Sequence, residues 1–204
     1  MFLDAPRGLR DPSAFELRRR MLALARVRDL VKWTEMIAET RGVRMPYPDP
    51  ADGGVDAKVL ILLETPTQHM PDSGEAEGFI SVDNDTAAAE EMWRARELVG
   101  LQQGMAMHWN IVPWYPAVDG VGPKRAETRD GTALLLELLV LLPRLETVIN
   151  CGLETQKAWH EFVGPKVTDL EVIDTWHPAT VAMAQEGKRE DLQAAFRRAA
   201  RITF

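Results

Sequence analysis

The sequence predicts a three-layer α/β/α fold around a central four-stranded parallel sheet, on three observations. Four short apolar runs, at residues 58–63, 107–112, 146–151 and 167–175, alternate with segments whose apolar residues recur at helical spacing. The first run is apolar along its whole length, as a strand covered on both faces must be. Each run stops at residues that break a ladder or favour a turn: Glu64-Thr65-Pro66, Pro113, Gly152 and Pro178. Right-handed crossovers would bring the four carboxyl ends to one edge, where open α/β sheets bind their ligands. Glu64, Asn110, Gly152 and His177 are expected together there.

The elements follow in order. Ser13-Ala14-Phe15-Glu16 has the form of a capping box and opens a helical stretch to about Arg41, with Leu17, Met21, Leu24, Val27, Leu30, Val31 and Ile37 on its apolar stripe. Arg18, Arg19, Arg20, Arg26 and Arg28 fall mostly off that stripe, as a solvated face or a phosphate-facing one. Residues 45–54, with three prolines and two glycines, read as a loop. After the run at 58–63, a polar loop leads to Asp83, Asn84 or Asp85 as cap of a helix that ends at Gly100. Met107-His108-Trp109-Asn110-Ile111-Val112 is the second strand candidate. Residues 130–142 read as a buried helix, 154–162 as a second and 188–201 as the last. The whole of 1–204 is expected to form one domain, with a helical segment at 1–44 and the functional motifs within 58–183.

Composition narrows the class. The 204 residues are 46% hydrophobic, enough for a full core. No apolar run approaches the ~20 residues of a membrane span, and no signal pattern opens the chain, so a cytoplasmic protein is expected. Cys151 is the one cysteine, which excludes a disulfide framework or a cysteine-rich cluster, and its apolar surroundings read as packing. His69, His108 and His160 do not fall at metal-ligand spacing, so no metal is expected. The absence of Gly-x-Gly-x-x-Gly and P-loop patterns disfavours dinucleotide and nucleoside-triphosphate functions, and no cofactor is expected. Net charge is −7, with +4 on residues 1–44 and −11 on the rest. Such a balance gives little non-specific attraction for nucleic acid.

The motifs together carry a resemblance. Leu62-Leu63-Glu64-Thr65-Pro66, Gly78-Phe79, Asn110-Ile111-Val112-Pro113, Val148-Ile149-Asn150-Cys151-Gly152 and Thr175-Trp176-His177-Pro178 occur in the order and at the spacing of the uracil-DNA glycosylase superfamily. The chain resembles a diverged member without an iron–sulfur cluster, since such clusters need four cysteines. Leu63 and Thr67 stand where that family has glycines, and Ala179 where it often has serine.

The resemblance implies a monofunctional glycosylase of base excision repair, acting on DNA that contains uracil or a related deaminated base. It implies that His177 stabilises the departing base anion and that Glu64 holds or polarises the attacking water. Asn110 would pair with the base, since an amide offers both a donor and an acceptor, and Phe79 would stack on it. Thr180 would contact phosphate and Met183 would fill the gap left by the flipped base. Basic side chains such as Lys124, Arg125, Lys188 and Arg189 would meet the DNA backbone. From their residue types alone, Asn110 is equally a cap of the Pro113 turn, Phe79 a core residue and Glu64 a solvated carboxylate. The alternative function is a catalytically inactive base-, nucleotide- or protein-binding member of the same fold.

Overall fold

The computed structural model describes residues 3–67, 77–118 and 120–203; His69 lies outside them. Four parallel strands form the central sheet: β2 (Val59–Leu63), β4 (Ala106–Asn110), β5 (Thr147–Cys151) and β6 (Glu171–Thr175), in the order β4-β2-β5-β6. Leu63 lies opposite Asn110, Leu62 opposite Asn150 and Cys151 opposite Thr175. The chain first crosses to one side of β2 and then returns to the other, so the strand order reverses between β2 and β5. Outside that reversal point a crevice opens in folds of this kind.

Alternation along the strands divides the core in two. Leu60, Leu62, Met107, Trp109 and Val148 face α2 (Ala25–Arg41) and α4 (Arg125–Val140). Val59, Ile61, Ala106, Ile149, Cys151 and Ile173 face α3 (Ala87–Val99) and α7 (Lys188–Thr203). The four apolar residues of β2 from Val59 to Leu62 have no exposed surface. Each such side chain contributes about 1.5–3 kcal/mol of hydrophobic stabilisation. This is the expected three-layer architecture.

Several local expectations need correction. The first helix, α1 (Pro12–Arg20), is capped by Asp11, which accepts from the Ser13 N–H, with Pro12 at the first helical position; Ser13 is already inside the helix. The stretch to Arg41 is broken: Leu24 is extended, at φ −62° and ψ 140°, and α2 begins after it. The break lets each helix bury its own face. Thr86, not an upstream acid, caps α3 by accepting from the Ala89 N–H. Helix α4 starts at Arg125, earlier than its leucines indicate. Strand β6, Glu171–Thr175, lies within the stretch 167–175 as expected. The helix after Gly152 is α5 (Leu153–Ala158), widening into a π turn at Trp159–Val163. Two residues each at β1 (Tyr47–Pro48) and β3 (Phe79–Ile80) pair as a small parallel ribbon inside segments read as loops.

The largest departure is Arg18, which neither faces solvent nor offers itself to phosphate. It is 2% exposed and donates to Asp49 and to Asp83, both buried. Gln103 bridges Asp83 to Asp52, and Ser81 donates to Asp49. This buried network ties α1 to the two loops that precede β2 and α3.

Candidate active site

The carboxyl edge is built by loops pinned to one another. The Ile111 N–H donates to the Leu63 carbonyl and the Val112 N–H to the Glu64 carbonyl, so the chain after β4 continues the ladder past the end of β2. The Gly152 N–H donates to the Thr175 carbonyl, which fixes the turn after β5 against the end of β6. Gly152 sits at φ +102° and ψ 154°, a conformation that side chains avoid. A Cβ there would stand 3.0 Å from the His177 Cβ. The absence of a side chain at 152 is what gives His177 its place.

A cavity of about 110 Å³ opens at this edge, lined by Asn110, His177, Phe79, His108, Tyr115 and Pro66 among others. A void on the order of 150 Å³ holds one benzene ring, so the space is on the scale of a single small ring and no larger. Asn110 is 3% exposed, and its amide makes no hydrogen bond to any described residue. It therefore offers an unused donor and acceptor to whatever enters. Phe79 lines the same space while its ring packs on Phe15, with centroids 5.1 Å apart. It is a core residue that also borders the cavity. The Tyr115 hydroxyl accepts from the Gly78 N–H at 3.3 Å, and burial pushes its pKa up to about 12, so it stays a neutral phenol.

His177 is chemically well defined. The Ala179 N–H donates to its Nδ1 at 3.1 Å, so in the neutral ring the proton sits on Nε2. Burial lowers its pKa below the ordinary histidine value, which keeps the ring neutral near pH 7. The result is an uncharged N–H donor on the wall of the cavity.

Glu64 is not among the residues lining this cavity. It follows β2 directly, between the lining residues Leu63 and Thr65, and its Oε1 lies 3.5 Å from the position a Cβ on Gly122 would take. Burial, and secondarily the charge of Glu154, raise its pKa above the usual carboxylate range. Of Glu64, Phe79, Asn110 and His177, the last three thus border the cavity, and Glu64 follows β2 next to it in the chain.

The outer residues need sorting. Met183 is 2% exposed and packs in the core between the sheet and α7, so it cannot reach a nucleic acid. Val181, two residues earlier in the short helix α6 (Thr180–Met183), is 79% exposed and follows directly on His177-Pro178. A four-residue helix carries no stripe from which that exposure could be read. Thr180 is exposed at the start of α6 and lines a separate groove of about 620 Å³ between α3 and α7. The arginines of that groove are paired, Arg7 and Arg94 with Glu90 and Arg189 with Glu91. Arg125 pairs with Glu161, Lys188 stacks on the Trp176 ring, and Lys124 is exposed at the head of α4. No cluster of three metal-ligating side chains occurs among the described residues, and no described helix is long and apolar enough to cross a membrane.

Fold and site together define an α/β/α protein with a single-ring cavity at the carboxyl edge of its sheet. No protein-family model and no curated protein matches the chain. Among solved structures, that of a mimivirus UNG point variant in complex with UGI is similar, with 16% sequence identity, 85% of this chain and 72% of that chain covered, and a TM-score of 0.46.

Proposed function

We propose that the protein removes uracil, or a related deaminated base, from DNA by hydrolysis of the N-glycosidic bond. The observation that carries this reading is that the Nε2–H of neutral His177 and the unengaged amide of Asn110 border one cavity of single-ring size. Breaking the C1′–N bond leaves positive charge on the sugar and sends the electron pair into the base. A fixed N–H aimed at a base oxygen stabilises that charge as it grows, as an oxyanion hole does. The Asn110 amide can donate to O4 of uracil while accepting from N3–H. Phe79 supplies an apolar wall for the ring. Glu64, with its raised pKa and its place beside the cavity, is the carboxylate to hold or deprotonate the attacking water. Flipping a base costs a few kcal/mol of unstacking, and Val181 is the side chain to occupy the gap.

A second reading, a base- or nucleotide-binding protein of this fold without catalysis, is favoured by two observations. Glu64 stands outside the cavity lining, and several basic side chains near the edge are already paired with acids. A labelled oligonucleotide with one uracil separates the two. Incubation followed by alkaline cleavage yields a shortened strand under the first reading and leaves the strand intact under the second.

A further inference from the structure

His108 precedes Asn110 by two residues on β4, so both side chains leave the same face of the sheet. His108 lies one pleat deeper, at the inner end of the cavity that both residues line. It is 1% exposed. Its backbone N–H donates to Asp52 Oδ2 at 2.9 Å, and its Nδ1 lies 2.9 Å from the same oxygen. Its other ring nitrogen, Nε2, is buried and has no partner among the described residues. A buried polar atom of this kind on a cavity wall is in want of a ligand.

We propose that His108, held by Asp52, is a second base-reading residue, and that its Nε2–H donates to a carbonyl oxygen on the distal edge of the bound ring. The proposal rests on the glycosylase reading of the cavity for its choice of ligand, a pyrimidine with a keto group at C4. The direction of the hydrogen bond follows from counting protons. With Asp52 ionised and His108 neutral, Nδ1 carries the ring proton and Nε2 is a bare acceptor. One further proton on this pair makes Nε2 a donor, whichever of the two groups takes it. If the ring takes it, both nitrogens are protonated. If Asp52 takes it and donates to Nδ1, the remaining ring proton moves to Nε2.

The surroundings favour that extra proton. Asp49, Asp52 and Asp83 are all buried and are faced by one guanidinium, Arg18, through a network that includes the neutral Gln103 and Ser81. Without the proton the network would bury two net negative charges, which a low-dielectric interior disfavours. Burial raises the pKa of both Asp52 and Asp83, but Asp83 has the Arg18 guanidinium beside it, whereas Asp52 faces His108 and the neutral Gln103. The other titratable groups on the cavity, His177 and Tyr115, are neutral and add no charge.

A donor at this depth accepts uracil, whose C4 carries oxygen, and rejects cytosine, whose C4 carries an amino group. Asn110 can rotate its amide to suit either base. His108 in the protonated dyad cannot, so it makes the discrimination firm.

The test is NMR of the full chain with ¹⁵N-labelled histidine, His108 being assigned through His108→Gln, and free uracil and cytosine as probes. The expected result near pH 7 is a proton-bearing Nε2 whose resonance moves on addition of uracil and stays in place with cytosine. Asp52→Asn should fold and leave Nε2 bare, because the amide oxygen accepts both His108 N–H groups and the carboxylate charge facing the ring is gone. In an excision assay that variant should lose about tenfold or more of its preference for uracil over cytosine. A bare Nε2 in the native protein overturns the proposal. So does an Nε2 resonance unmoved by uracil, whether or not Asn110 and His177 respond. Loss of preference through general damage would leave the Nε2 protonation state of Asp52→Asn as in the native protein, and that result also overturns it. Failure of the glycosylase reading is seen separately: an intact uracil strand in the gel assay leaves the NMR result standing for a base-binding protein.

Discussion

Gly152→Ala is the perturbation that most sharply connects backbone to chemistry. The native residue is at φ +102° and ψ 154°, in a region open almost only to glycine. Placing alanine there costs about 1–3 kcal/mol of stability. A second consequence is steric. The new Cβ would lie 3.0 Å from the His177 Cβ and 3.4 Å from its Cδ2. Carbon atoms in contact sit about 3.5–4.0 Å apart, so the imidazole must retreat by roughly 0.5–1 Å. A misplacement of that order costs up to about a hundredfold in rate where reacting groups are prealigned. The control is Gly100→Ala, also at positive φ (+71°) but with no atom within 4 Å of the added Cβ. It should lose about 1–2 kcal/mol of stability and keep its rate. Urea unfolding gives the stabilities, and single-turnover release of uracil at saturating protein gives the rates. A Gly152→Ala protein that is folded and releases uracil at the native rate would refute the link between this turn and His177.

Other outcomes follow from the same structure. Arg18→Met leaves Asp49 and Asp83 buried without their counter-charge and should cost about 3–5 kcal/mol in urea unfolding, whereas Arg20→Met, on an exposed position, should stay within about 0.5 kcal/mol. His177 has a lowered pKa in the folded state, so its neutral form contributes stability above the unfolded value of about 6.5. As pH falls through that value the unfolded chain takes up a proton that the folded chain resists. The native protein should therefore lose stability relative to His177→Gln between pH 7.5 and about pH 5.5; a constant difference would contradict it. Val181→Ala should leave stability unchanged within about 0.5 kcal/mol, since the side chain is exposed. It should slow uracil release from duplex more than from single-stranded DNA, which needs no wedge; equal effects on both would remove Val181 from base flipping.

Much of this arrangement is legible in the sequence, and the exceptions have physical causes. The parallel sheet shows itself because strands buried on both faces are continuous apolar runs, and because Pro66, Gly152 and Pro178 mark where they end. Asn110 and His177 are found by position, since strand ends converge in this topology whatever the loops do. The place of Glu64 relative to the cavity is not fixed by its position, because a side chain just past a strand end can turn to either flank. Arg18 was unreadable for another reason: its partners lie 31 and 65 residues away, and a charged residue off an apolar stripe normally faces water. The burial of Met183 and the exposure of Val181 could not be read, because α6 has one turn and no periodicity. His108 had a usable signal, the two-residue spacing from Asn110 that puts both on one face of a strand.

The most direct test of the central claim is the single-turnover rate of uracil release by His177→Ala, measured beside its affinity for the same oligonucleotide. The account predicts a rate lower by about a hundredfold to a thousandfold, the effect of losing one donor to a developing anion. It predicts affinity within a few-fold of native, because that hydrogen bond strengthens only as the base becomes charged. A His177→Ala protein that releases uracil at the native rate, or a native protein that releases none, would contradict it.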